Sequence, residues 1–417
     1  MIKMALGKDL KEYAKLPRSI IVLFFARIVN CLGNFVFPFL TLFLTEKMGM
    51  STNKVGSFMM MAAVAGALGS LLGGKLADII GRKKVILFFQ SMAAIMLIPC
   101  GFLGSSILIP WFLIAMQFFT GAVQPANAAM VADLTNNKNR QQAFSLLYLG
   151  INIGVAIGPI IAGVLYKNYI QWIFWGDALT TFISIILVAT MVKEGIHNSN
   201  HQDMNENEKS ETGNVISVIL KRPALLAFSL VSIIYSFIYA QSNFSLPLQV
   251  KNIYPEEGSV LFGSLISVNA VVVVACTFII IGLTRKNKPI LNIAIAGLFY
   301  AVGFGMLYFV KNYSFLIVST IIWTIGEILS ATNQGVYIAN NTPMSHRGRV
   351  NSVLPLISGA GNAIGPSIMG IYILNRGVRM AWPLVFVLAL GATILMYMIY
   401  LKEKKDYKIK KTSLKYN

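Results

Sequence analysis

Twelve long apolar stretches run along the 417-residue chain, parted by short polar or charged turns. They lie near residues 19–45, 55–77, 85–104, 108–132, 142–165, 170–192, 223–248, 259–283, 289–310, 313–336, 351–373 and 379–401. A helix needs about 20 apolar residues to cross a bilayer, so the pattern predicts twelve membrane spans in an all-α polytopic protein. The first stretch is too long for the apolar region of a signal peptide and lacks a small-residue cleavage site, so it reads as the first span. Between the sixth and seventh spans the pattern breaks. Residues 193–222 are polar and acidic and predict a flexible linker. The expected organisation is an N-tail (1–18), a six-helix bundle (19–192), the linker (193–222), a second six-helix bundle (223–401) and a basic C-tail (402–417).

Charge fixes the expected orientation. The formal net charge is +19, with 35 Lys and Arg against 16 Asp and Glu. If the N-terminus is inside, 27 of the 35 cations fall on the inner side and 7 outside, with Arg27 inside the first span. Inner loops of membrane proteins carry such an excess. Both termini are therefore expected to be cytoplasmic in a multi-pass protein of a bacterial cell membrane. The C-tail cations, Lys402 to Lys415, are expected to lie against anionic headgroups. This distribution argues against nucleic acid as the partner of the positive charge. Cys31, Cys100 and Cys276 fall inside predicted spans with no CxxC spacing and read as small buried hydrophobes. His197, His201 and His346 fall in loops without further ligands. No metal site, cofactor or catalytic cluster is expected, and no Walker A motif is present, so an enzyme or an ATP-driven pump is disfavoured.

The turn after the second span reads Gly74-Lys75-Leu76-Ala77-Asp78-Ile79-Ile80-Gly81-Arg82-Lys83-Lys84. So short a turn makes its two helices antiparallel neighbours, and its cations mark the inner side. It resembles the G-x-L-a-D-r-x-G-r-k signature of the major facilitator superfamily, matching at Gly74, Leu76, Ala77, Asp78, Gly81, Arg82 and Lys83. Ile79 stands where Arg is usual. The resemblance implies alternating access between two bundles. It gives Gly74, Asp78, Gly81, Arg82 and Lys83 a gating role, in which Asp78 holds the start of the eleventh span. A carboxylate is favoured at a helix N-terminus. Arg140, at the start of the fifth span, is a second expected partner for Asp78. A purely topological role for the cations is the other reading.

The two halves share a pattern. Gly154-Val-Ala-Ile-Gly158-Pro159-Ile-Ile-Ala162-Gly163 in the fifth span returns as Gly361-Asn-Ala-Ile-Gly365-Pro366-Ser-Ile-Met369-Gly370 in the eleventh, offset by 207 residues. Arg140 and Arg347, and Ser145 and Ser352, follow the same offset. Two homologous bundles related by a pseudo-two-fold axis are expected. The copy at Gly154, Gly158, Pro159 and Gly163 also resembles the antiporter signature of twelve-helix drug:proton antiporters, with Ala162 replacing one glycine. Close helix packing is the alternative explanation, and the eleventh-span copy favours it.

The resemblance also implies a central cavity lined by the first, fourth, seventh and tenth spans. These spans carry polar residues at helical spacing. They are Arg27, Asn30 and Asn34; Gln117, Thr120, Gln124 and Asn127; Ser229, Ser232, Ser236, Tyr239 and Asn243; and Glu327, Ser330, Gln334 and Tyr337. Asn30, Asn34, Gln117, Gln124, Asn127, Ser236, Tyr239, Asn243, Ser330 and Gln334 are the expected substrate contacts. Hydrogen bonding between helices is the other use of such residues. Charges inside a membrane are costly and usually functional. Glu327 is the expected proton carrier with Arg27 as its cationic counterpart, or the two form a permanent ion pair. Asp177 in the sixth span is expected to meet water, to cap a helix or to serve as a second proton site. Many drug:proton antiporters carry Arg in the fourth span, whereas this chain has Gln117-Phe-Phe-Thr120-Gly121. The resulting reading is a monomeric secondary transporter that exports amphiphilic drugs or metabolites in exchange for protons. A proton-coupled or facilitative transporter of a sugar, amino acid or lipid-like metabolite is the alternative.

Overall fold

The computed structural model describes residues 16–135, 139–192, 222–341 and 347–416. Every regular element among them is helical. In chain order they are α1 (Arg18–Leu32), α2 (Val36–Leu42), α3 (Thr52–Ile80), α4 (Arg82–Phe102), α5 (Ile109–Asp133), α6 (Arg140–Asn168), α7 (Gln171–Met191), α8 (Pro223–Ala240), α9 (Ser245–Ile253), α10 (Gly258–Thr284), α11 (Pro289–Gly305), α12 (Tyr313–Asn341), α13 (Arg347–Arg376) and α14 (Ala381–Tyr416). The N-tail through residue 15, linker residues 193–221, His197, His201 and His346 lie outside the described residues. The C-tail continues α14 as helix through Tyr416.

Eleven helical segments among the described residues are long and apolar enough to cross a membrane. The remaining expected span, α5, is a 25-residue helix. Gln117, Gln124 and Asn127 lower its hydropathy. The first span is α1 and α2 with a π-helical turn at Phe43–Lys47, and the seventh is α8 with α9. Large apolar residues face outward in bulk, among them Leu71, Ile79, Phe278 and Leu283. In water such a surface would drive aggregation, but against lipid tails it costs nothing.

Contacts divide the chain into two units. The first holds residues 1–200 and 250–274, and the second holds 201–249 and 275–417. In the first unit α4 packs on α5 and α7, and α1 packs on α6 and α7. In the second, α11 packs on α12 and α14, and α8 packs on α13 and α14. These four contacts recur under the 207-residue repeat, while the α3–α5 contact is a feature of the first unit.

Small residues set the tightest contacts. The stripe Gly66, Gly69 and Gly73 of α3 faces α5. A Cβ at Gly69 would meet the Phe118 carbonyl at 1.9 Å, and one at Gly73 the Ala122 carbonyl at 2.1 Å. From the other side, a Cβ at Gly121 would meet the Gly66 carbonyl at 2.0 Å. Lipid is as apolar as a buried side chain, so membrane helices gain by close van der Waals approach, and glycine permits it. The repeated motif serves the same end. Gly154 and Gly158 lie against α1, and a Cβ at Gly154 would come within 2.8 Å of Ile28 O. A Cβ at Gly361, its repeat partner, would meet Ile233 O on α8 at 2.0 Å. Farther along α6, a Cβ at Gly163 would come within 2.8 Å of Ser259 O at the start of α10.

Gly73→Ala is expected to destabilise the first unit by about 1–3 kcal/mol through overpacking. Gly282→Ala, whose new Cβ meets nothing within 4 Å, serves as the neutral control. Thermal unfolding of the purified protein in detergent measures both, and equal midpoints would refute the close-approach account.

Candidate functional site

Both first-of-half spans are interrupted, and the interruptions shape the site. α1 stops at Leu32 and α2 starts at Val36. Gly33 sits at the gap because a Cβ there would run into the Thr180 side chain. Breaking a helix inside a membrane frees backbone groups that must find partners. Asp177 on α7 supplies one, accepting the Val36 N–H at 3.3 Å through Oδ2. It therefore caps α2, one of the roles expected for it. α8 stops at Ala240, and there Gln241 repairs the gap. Its Nε2 donates to Phe237 O at 2.9 Å, and its Oε1 accepts the Ser245 hydroxyl at 2.7 Å.

In the first unit, two cavities of about 280 and 430 Å³ share Arg27, Asn30, Gln90, Gln124, Asn127 and Ile151 on their walls. The larger also has Asn34, Gln117, Thr120, Asp177 and Thr181. The expected polar residues of the first and fourth spans thus converge on one amide-rich space. Asn30 Nδ2 donates to Thr181 Oγ1 at 3.2 Å. The sequence reading missed Gln90 on α4 and Thr181 and Ser184 on α7. Gln90 is a lone polar residue in an apolar helix, whereas Thr181 and Ser184 follow Asp177 at steps of four and three, a stripe that the sequence carried. Arg27 is half-buried on the cavity wall.

In the second unit, a cavity of about 200 Å³ is lined by Tyr235, Ser236, Tyr239, Tyr300, Glu327, Ser330, Gln334 and Asn362. Tyr239 donates its hydroxyl to Glu327 Oε1 at 2.8 Å, and Gln334 Nε2 donates to Ser330 Oγ at 2.8 Å. The Tyr239 ring lies 6.1 Å from Trp323 and 6.4 Å from Tyr300 between centroids, so the carboxylate sits among aromatic rings. Tyr235, Tyr300 and Asn362 were not anticipated. Three expected stripe members turn away from this cavity. Ser229 and Ser232 are buried and donate to carbonyls of their own helix. Tyr337 is 2% exposed and donates to Glu403 at 2.7 Å. Asn243 falls in the break after α8, off the helical stripe, beside Ser242.

The turn motif forms a third cluster. Gly81 has φ +102°, a conformation that favours glycine and joins α3 to α4 through one residue. Arg82 fills the space beneath it. Its Nη2 lies 2.9 Å from Asp78 Oδ1, its Nε lies 3.0 Å from Asp133 Oδ2, and its Nη1 donates to Ala77 O at 2.7 Å. One guanidinium thereby ties the end of α3 to the end of α5. Asp133, the acid that completes this cluster, was missed by the motif reading. Lys83 Nζ donates to Ala189 O at 2.7 Å, placing a cation at the C-terminal end of α7, where the helix dipole favours it. Arg140 opens α6, but its side chain lies outside the described residues. Among the described residues no group of three or more His, Cys, Asp or Glu is placed to hold a metal ion.

Arg82→Gln is expected to cost about 1–3 kcal/mol, since charged hydrogen bonds are lost and two carboxylates lose their partner. Arg82→Lys should recover only part of this, because a point cation cannot span two carboxylates and a carbonyl. Unfolding midpoints of the three proteins decide it, and full recovery by Lys would count against the fork.

Comparison with known proteins agrees with this architecture. The model of the Major Facilitator Superfamily matches residues 23–354 and 293–415. An uncharacterised MFS-type transporter of Bacillus subtilis, YqjV, is 26% identical over 344 residues, covering 81% of each chain. The Na(+), Li(+), K(+)/H(+) antiporter of Planococcus maritimus is 22% identical over 360 residues, 79% of this chain and 84% of the relative. Among solved structures, the peptide transporter POT in complex with sulfate superposes with a TM-score of 0.78 at 14% identity, covering 95% of this chain and 98% of that one. The nucleoside transporter NupG does so with a TM-score of 0.75 at 12% identity, over 92% and 99%. At such identities the solved structures speak for the fold alone. With the twelve-helix pattern, the recurring helix contacts and the turn motif, the match across the chain makes this protein a multi-pass membrane transporter of the Major Facilitator Superfamily.

Proposed function

We propose that the chain exports amphiphilic compounds in exchange for protons by alternating access. One observation carries the reading. Glu327, a carboxylate on a membrane helix, lines a cavity and is held by the Tyr239 hydroxyl among aromatic rings. A carboxylate so placed exchanges protons when the cavity opens to either side. The rings give an amphiphile a surface to lie on, and Ser236, Ser330 and Gln334 supply hydrogen bonds. Arg27 and the amides of the first unit's cavity, Asn30, Asn34, Gln117, Gln124 and Asn127, supply the polar half of the substrate contacts. Asp78, Arg82 and Lys83 act at the inner gate, the termini are cytoplasmic, and the protein works as a monomer in a bacterial plasma membrane.

A second reading, exchange of an inorganic cation for protons, is favoured by the named activity of the Planococcus relative and by the oxygen-rich cavity that holds Asp177.

Glu327→Gln is expected to abolish gradient-driven efflux while leaving energy-independent substrate exchange. If Glu327 instead serves only to neutralise Arg27, the single change leaves a half-buried cation unpaired inside the membrane and expression falls. The double change Arg27→Gln with Glu327→Gln then restores expression. A double variant that still pumps against a gradient removes Glu327 from coupling. Accumulation in everted vesicles with and without a protonophore, read for dyes and for alkali cations, separates the two readings.

Cysteines introduced at Ser199 and Ser106 are expected to react with an impermeant maleimide from opposite sides of the membrane. Labelling of both from the same side overturns the twelve-span topology.

A further inference from the structure

Within the second unit, α8 begins beside the end of α12 and the point where α14 turns from apolar to basic. A cavity of about 330 Å³ opens there, away from the Glu327 site. Arg222 and Lys402 stand on its wall with Asn341 and Glu403, while Leu225 and Ile399 supply apolar lining. Lys402 is the first charge after the apolar run Ala381–Leu401. That sets the cavity at the boundary between hydrocarbon and headgroups.

The electrostatics of the wall favour an anion. Glu403 accepts the hydroxyl of buried Tyr337 at 2.7 Å through Oε1, and its single negative charge stands against the two cations of the wall. Arg222 donates Nη1 to the Asn341 carbonyl at the end of α12, and a guanidinium has further N–H groups to offer. Lys402 is exposed and makes no hydrogen bond or ion pair with the described residues. α8 has no acidic residue in its first turn, so the positive end of its dipole adds to the two cations. Below the cavity the same helices turn apolar residues outward, with Leu230 54%, Met398 58% and Leu401 46% exposed. A charged rim above an apolar wall at headgroup depth is how membrane proteins hold lipid phosphates.

We propose that this cavity binds the phosphate of an anionic phospholipid, with Arg222 and Lys402 on the phosphate and the acyl chains along α8 and α14. The same rim chemistry suits free phosphate, so the test separates the two sources. The probe is phosphatidylglycerol added to the full chain in detergent, with retention read by native mass spectrometry against phosphatidylcholine. Wild type is expected to retain one phosphatidylglycerol in preference to phosphatidylcholine. Lys402→Gln should weaken that retention about fivefold, the worth of one interfacial cation. Lys286→Gln, a cation outside the cavity, should leave it unchanged, and millimolar inorganic phosphate should not displace the lipid. Arg222→Gln should weaken retention further. If losing the Asn341 contact unfolds that variant, Lys402→Gln decides alone. Equal retention of the two lipids, or wild-type retention by Lys402→Gln, overturns the proposal. An equal loss in Lys286→Gln assigns the effect to diffuse surface charge and overturns it too. Displacement by inorganic phosphate overturns the lipid assignment in favour of a free anion.

Discussion

Backbone hydrogen bonding in a medium without water is the constraint on which the rest of this structure depends. Each peptide group in the hydrocarbon must find its partner within the protein, and only the helix does so along a single segment. Once every span is a helix, the hydrophobic effect no longer drives one span against another. Contact is then decided by how closely two backbones can approach. That is why Gly69, Gly73 and Gly121 sit at the α3–α5 contact, and why Gly154 of α6 and Gly361 of α13 sit at equivalent places against α1 and α8. Close packing accounts for Gly154, Gly158 and Gly163 in the fifth span and for Gly361 in the eleventh.

The same constraint gives the interrupted helices their meaning. A gap in the first span and another in the seventh each release backbone groups at membrane depth. Asp177 closes one from a neighbouring helix, and Gln241 closes the other from its own chain. An acid reaching across to cap α2 makes that gap depend on a second helix and on a group that binds protons or cations. An amide at the other gap does not. Several helix contacts recur in the two halves, yet their gaps are held by different chemistry.

The cavities differ in the same way. The first unit gathers amides, an arginine and an aspartate, which suit a polar or hydrated group. The second gathers tyrosines around one glutamate, which suits a flat apolar body carrying a positive charge or a mobile proton.

By itself the sequence determined the helices, their number, the repeat and the polar stripes on four of the spans. These follow from composition and from periods of three and four, which are local properties. It also singled out Gly81 and Arg82, through the resemblance of their turn to a known signature. Only the tertiary structure decided which polar residues face a cavity. Ser229, Ser232 and Tyr337 share a stripe with cavity residues but spend their hydroxyls on other partners, and a break in the helix moves Asn243 off its stripe. The structure alone placed Asp133 on Arg82, Asp177 on α2, and Gln90 and Tyr300 on cavity walls. Each of these is a pairing between helices distant in sequence. Periodicity tells which face of a helix is polar, but not which neighbour that face meets or at what depth, and those are set by packing.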